Sequence, residues 1–186
     1  LINYAPPFCP EYLIDKKVPK GELGKVKNLT VIEKVASEGV KELQKLLRTI
    51  DSTTYILILD TKTKDKDCRS IENIMNHVVR AGYSYSNYIR KQFGEDFIER
   101  KMKYDVGTPQ LAISEVNNML KYTEENLQNK WKLTWRKIQG NIIHTAWGQD
   151  FDIDQLLEHA IVHILRHRRQ IEKLMLQHSV AAKIKY

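Results

Sequence analysis

Three histidines recur at four-residue intervals near the end of the chain, His159, His163 and His167, within the stretch from Asp154 to Ile171. On a helix, residues so spaced stack one turn above another on nearly the same face. Two such imidazoles can reach one metal ion, the logic of any HxxxH pair. A third, two turns away, lies ~12 Å along the axis, too far to share that ion. At most two of the three therefore bind one metal, and a further ligand must come from another element. On a helical wheel, Ile153, Leu156, Leu157, Ala160, Ile161, Ile164, Ile171 and Leu174 define the apolar arc. His167 falls inside its edge and His163 beside Leu156, with His159 further toward the polar side. The inward pair is His163 and His167, and His159 flanks or supports it. The competing reading is three ordinary surface histidines, so a suitably placed third ligand decides the matter.

His77 is the best candidate for that ligand. It stands mid-helix on the flank of a separate core stripe formed by Ile71, Ile74, Met75, Val78, Gly82, Tyr85 and Ile89. His144 falls in a loop and His178 near the tail, neither with a partner at helical spacing. Three neutral imidazoles plus water make the open pattern of catalytic zinc, and imidazole also suits nickel, iron or copper. Zinc or nickel lead, with iron, manganese and copper as further options. Glu158 forms no Glu-x-x-His pair with any of the histidines, which counts against a carboxylate-rich di-iron site. Glu158 and Gln170 are instead candidates, with His159, to sit behind the ligands; a solvated-surface role is the competing reading for both.

The elements that must position these residues are helical. At 186 residues, 42% hydrophobic and 28% charged, the chain suits one globular domain. No run approaches the ~20 apolar residues of a membrane span. Cys9 and Cys68 lie far apart without metal-ligand spacing, which fits a reducing cytoplasm better than a disulfide framework. The net charge of +7 invites a nucleic-acid reading. The lysines are nevertheless spread along the chain, and the densest basic-aromatic cluster, Lys130 to Lys137, reads better as a helix burying Trp131 and Ile138 with its lysines outward.

Residues 1–27 carry four of the five prolines and read as an extended arm over the body, leaving 28–186 as the helical domain. Thr30 and Glu33 form a capping box for a first helix with its stripe from Ile32 to Ile50. Tyr55 to Leu59 is apolar enough for a short strand or a buried strip of loop. A second helix starts at Asp67 or Ser70 and stops at Gly94. Thr108-Pro109 opens a third, running to about Gln139 with Ile113, Val116, Leu120, Leu127, Trp131 and Ile138 on one face. A loop through Trp147-Gly148 leads to an Asp152 cap, with Gln155 reciprocating, and a fourth helix to about His178. Four amphipathic helices satisfy one another as an all-α four-helix bundle, with crossover connections allowed by the longer links.

The segments Ser70-Ile-Glu-Asn-Ile-Met-Asn-His77, Trp147-Gly148 and His163-Ile-Leu-Arg-His-Arg-Arg-Gln-Ile171 together resemble the DinB superfamily over about residues 28 to 178. That resemblance implies an up-down-down-up bundle with a divalent metal held by three histidines, which map onto His77, His163 and His167. Arg169 stands where the family often has glycine, a departure that bears on the adjacent pocket more than on the metal. The resemblance further implies a homodimer and thiol-dependent S-transfer or isomerisation as the family's characterised chemistries. Three functions follow as expectations. The first two are a metal-dependent transferase or hydrolase acting on a small molecule, with a low-molecular-weight thiol as a candidate co-substrate, and a non-catalytic, stress-associated metal-binding or dimeric binding protein. DNA binding through Lys132, Arg136 and Lys137 is the third.

Overall fold

In the computed structural model of the protein, residues 29–130 and 132–184 are described, with side chains for 34–179 other than 131 and 135. The proline-rich arm and Trp131 lie outside the described residues. The elements in order are α1 (Leu29–Leu47), α2 (Ser52–Ile56), α3 (Ile71–Gln92), α4 (Pro109–Leu127), α5 (Trp135–Gly140), β1 (Ile143–His144), β2 (Asp150–Phe151) and α6 (Ile153–Ile184). The chain is thus mostly helical. Among the described residues, no helix is long and apolar enough to cross a membrane.

Local chemistry accounts for the helix starts. Ser70 Oγ accepts from the Asn73 N–H at the head of α3, and Thr108 Oγ1 does the same for Leu111 in α4, with Pro109 filling the first turn. At α6, Asp152 and Gln155 exchange side-chain-to-backbone bonds of 2.8 and 3.0 Å, the expected reciprocal box. α1 is already helical at Leu29, one residue ahead of the cap expected at Thr30; the contacts of that turn fall outside the described side chains.

Packing sets the relative directions of the four long helices. Gly82 lies against Met119, and Ser86 bonds Thr123, so α3 and α4 run parallel. A Cβ at Gly82 would overlap the Met119 thioether, so glycine permits this approach. Gly39 faces Leu165, and Glu42 lies 3.9 Å from Arg168, so α1 and α6 also run parallel. His77 meets His163 and His167, whereas Tyr85, two turns on, meets His159 and His163; α3 and α6 are therefore antiparallel. α4 packs on both α1 and α3.

Three expectations need correction. The third helix does not reach Gln139. It ends at Leu127, and the chain turns before Thr134 caps the short α5. Lys130 ties down this end: its ammonium turns back to the Asn126 carbonyl at 2.7 Å and to Glu95 at 2.6 Å, over the Phe93 ring. A cation on the last carbonyls of a helix is favoured there. Lys130 is consequently buried rather than outward, while Lys132, Arg136 and Lys137 are exposed. The run from Tyr55 to Leu59 is neither strand nor buried strip. Asp51 caps the one-turn α2, which buries Tyr55 and sends its hydroxyl to the Val106 carbonyl at 2.8 Å, leaving Ile56, Leu57 and Ile58 exposed. Finally, β1 and β2 form an antiparallel hairpin, Ile143 opposite Phe151, within the segment read as a loop. Gly148, at φ 82°, makes its turn.

Candidate metal centre

α3 and α6 cross with their histidine-bearing faces together. His77 Nε2 lies 3.0 Å from His163 Nε2, and His167 Nε2 lies 3.2 Å from the same atom. One nitrogen from each ring falls within a mutual 4.8 Å, close enough for the three residues to hold one metal ion. Two nitrogens at zinc-bond length from a tetrahedral ion stand about 3.3 Å apart. Separations of 3.0 and 3.2 Å are close to that figure, and they are equally the length of an N–H···N hydrogen bond.

The opposite ring nitrogens show which atoms carry the protons. His77 Nδ1 stands 3.2 Å from Asp67 Oδ2. An ionised carboxylate only accepts, so Nδ1 is the donor and a neutral His77 has its lone pair on Nε2. His167 Nδ1 likewise donates to Gln170 Oε1 at 2.9 Å. Two bare Nε2 atoms therefore face the Nε2 of His163. Only a proton on His163 or a cation resolves that convergence, and the tied Nδ1 atoms are the usual support of a metal-bound imidazole.

Asp67 is itself held. Arg80, one turn beyond His77, donates its Nη2 to the same Oδ2. The hydrogen bond from His77 and the charge of Arg80 keep the Asp67 carboxyl below its usual value, despite its partial burial. On the other rings, burial first and the neighbouring imidazoles second push His163 down to about 2 and His167 down to about 4, the Gln170 bond opposing the latter. Both are neutral at physiological pH, the form that binds metal.

Of the residues expected behind the ligands, Gln170 takes that place. His159 instead joins an aromatic cluster beside the centre, stacked on Trp147 at 6.1 Å and 5.4 Å from Phe151. Tyr85 links the two, edge-on to both His159 and His163. Burial lowers His159 and raises the Tyr85 phenol, so both stay uncharged near neutrality. Glu158 is exposed. His144 pairs across the hairpin with Asp150 at 2.7 Å, away from the three rings.

Sequence reasoning missed Asp67 as an orienting group, having read it only as a helix start. It sits on a 3-10 turn, Lys66–Cys68, which no periodicity connects to His77. Arg80 was also missed, although its three-residue spacing from His77 places the two on one helix face. No family model, curated protein or solved structure matches this chain.

Proposed function

We propose that the chain is a divalent-metal-dependent enzyme of DinB type, a four-helix bundle in up-down-down-up order with His77, His163 and His167 as its ligands. Its reaction is transfer of a low-molecular-weight thiol, or hydrolysis of a small substrate. The helix directions support the topology: α1 with α6, and α3 with α4, are the two parallel pairs. The observation that carries the metal reading is the meeting of three Nε2 atoms from two antiparallel helices, two of them bare because Asp67 and Gln170 hold the protons on Nδ1.

A divalent ion in this site supplies Lewis acidity and lowers the pKa of a water or thiol bound to it. The chain's own groups do the rest. Asp67 and Gln170 fix tautomer and ring orientation. Arg80 holds Asp67 in place and ionised. Tyr85, Trp147 and Phe151, with His159, build an aromatic wall on one side of His163 that limits solvent access. Imidazole ligation favours zinc or nickel, with iron, manganese or copper selected by availability.

A second reading, a non-catalytic metal-binding protein, draws on one observation. Among the described residues, the carboxylate bonded to one of the three rings is Asp67, on His77, and it is already committed to that ring and to Arg80. Elemental analysis of protein purified without a polyhistidine tag, alongside His163→Ala, tests the ligand set: metal in the parent and none in the variant is expected. Turnover of small electrophiles with a low-molecular-weight thiol, and of small esters, then separates the two readings. Metal-loaded protein that turns over neither class would leave the binding-protein reading standing.

A further inference from the structure

The apolar interior is divided. One buried cluster includes Val78 on α3 and Ile164 on α6; a second includes Tyr85 and Leu157, about two turns away on the same two helices. Near this level several facing residues are small, Ala36 on α1, Gly82 and Ser86 on α3 and Ala160 on α6, beside the larger Met119 and Ile161. They line a partly open cavity of about 60 Å³ between α1, α3, α4 and α6. Interiors are otherwise close-packed, and a void of this size loses the contacts of every atom around it. Ser86 Oγ and Thr123 Oγ1 lie 2.7 Å apart, and Thr123 Oγ1 donates to the Met119 carbonyl, so the hydroxyls in the wall are satisfied without water. His163 belongs to both places: its ring forms part of the cavity wall, and its Nε2 faces His77 and His167.

We propose that this cavity is the specificity pocket of the metal centre. It receives the uncharged, unbranched alkyl tail of a small molecule whose donor head group binds beside the three imidazoles. The inference rests on the metal-centre reading. At about 10–15 Å³ for each water-sized group, the space takes a tail of about four to six carbons. Glu124, on the lining, disfavours an anionic tail.

The test uses the cobalt(II)-loaded protein titrated with straight-chain alkyl hydroxamates, acetyl to octanoyl, followed by the cobalt absorption bands. Affinity should rise about fourfold per methylene up to the length that fills the cavity, then level off. Ala160→Leu, which fills the space, should abolish the gain with chain length while leaving cobalt uptake and acetohydroxamate affinity unchanged. Met119→Ala, which enlarges it, should move the plateau to longer chains, and it carries the test alone if the leucine variant does not fold. Cobalt uptake with affinity independent of chain length would overturn the pocket and leave the metal centre intact. Failure to take up cobalt would remove both.

Discussion

Replacing His163 with alanine separates what the ring does for an ion from what it does to the fold. With metal at a hundred times its dissociation constant, linkage stabilises the folded state by about 2.7 kcal/mol. For a chain of this size each kcal/mol moves the melting temperature by roughly 2–4 °C, so metal should raise the parent's midpoint by about 5–11 °C. The variant keeps only two of the three converging nitrogens and should show almost none of that rise. Without metal the comparison reverses at low pH. An unfolded-chain histidine protonates near pH 6.5, whereas burial and the other imidazoles hold His163 down to about 2 and His167 down to about 4. With the folded pKa depressed, the unfolded state binds more protons below pH 6.5. Stability is therefore complete above that pH and falls as pH drops toward the folded value, by up to about 1.4 kcal/mol per unit per ring. Between pH 7 and pH 5 the parent should lose about 4 kcal/mol from the two rings, and the variant about half of it. Circular dichroism melts at both pH values, with and without metal, measure all four quantities. An alanine variant that keeps the metal-dependent rise would refute the ligand assignment. One that unfolds at pH 7 without metal would show the ring to be a core element instead.

Asp67→Asn keeps the shape of the side chain but weakens its hold on His77 and removes the charge facing Arg80; metal affinity by competition with a chromophoric chelator should fall about 10–100-fold with the fold retained. Tyr55→Phe removes the donor to the buried Val106 carbonyl and should cost about 1 kcal/mol in urea unfolding, with metal affinity unchanged. Lys130→Met keeps the stem over Phe93 but leaves Glu95 and the Asn126 carbonyl without their cation, and should destabilise by about 2 kcal/mol in the same assay. Equal stability in the methionine variant would mean that the turn after Leu127 does not depend on that ammonium.

What could be read in advance follows from where periodicity governs. His163 and His167 share one helix, and their spacing alone places them on a common face; His77 was legible because its own helix has a clear stripe beside it. The end of the third helix was not. Ile138 stays in phase with Leu127 and is indeed buried, but it is carried there by a second, separately capped helix after the first has ended at Leu127. Composition misled at Tyr55 to Leu59, where a single turn of helix buries the tyrosine and rotates the aliphatic residues out. Two-residue strands are too short to show alternation, so the hairpin around Trp147-Gly148 read only as a loop. Asp67 was invisible as a partner because a tertiary contact across a turn, not a repeat, brings it to His77.

The same geometry explains why the site belongs to the fold rather than decorating it. The Nε2 atoms left bare on His77 and His167 stand 3.0 and 3.2 Å from His163 Nε2, so without a proton there the lone pairs repel, and shielding the rings from protons costs stability whenever the pH falls. Core residues of similar size would pack α3 against α6 without either cost. Yet the chain adds Asp67, Arg80 and Gln170, whose bonds hold two of the rings in the orientation that maintains the conflict. Local violations of packing economy that neighbouring residues actively enforce are the mark of a functional site. A cation held here would remove the conflict at its source, because it would use all three lone pairs and turn the least comfortable point between α3 and α6 into a bond between them.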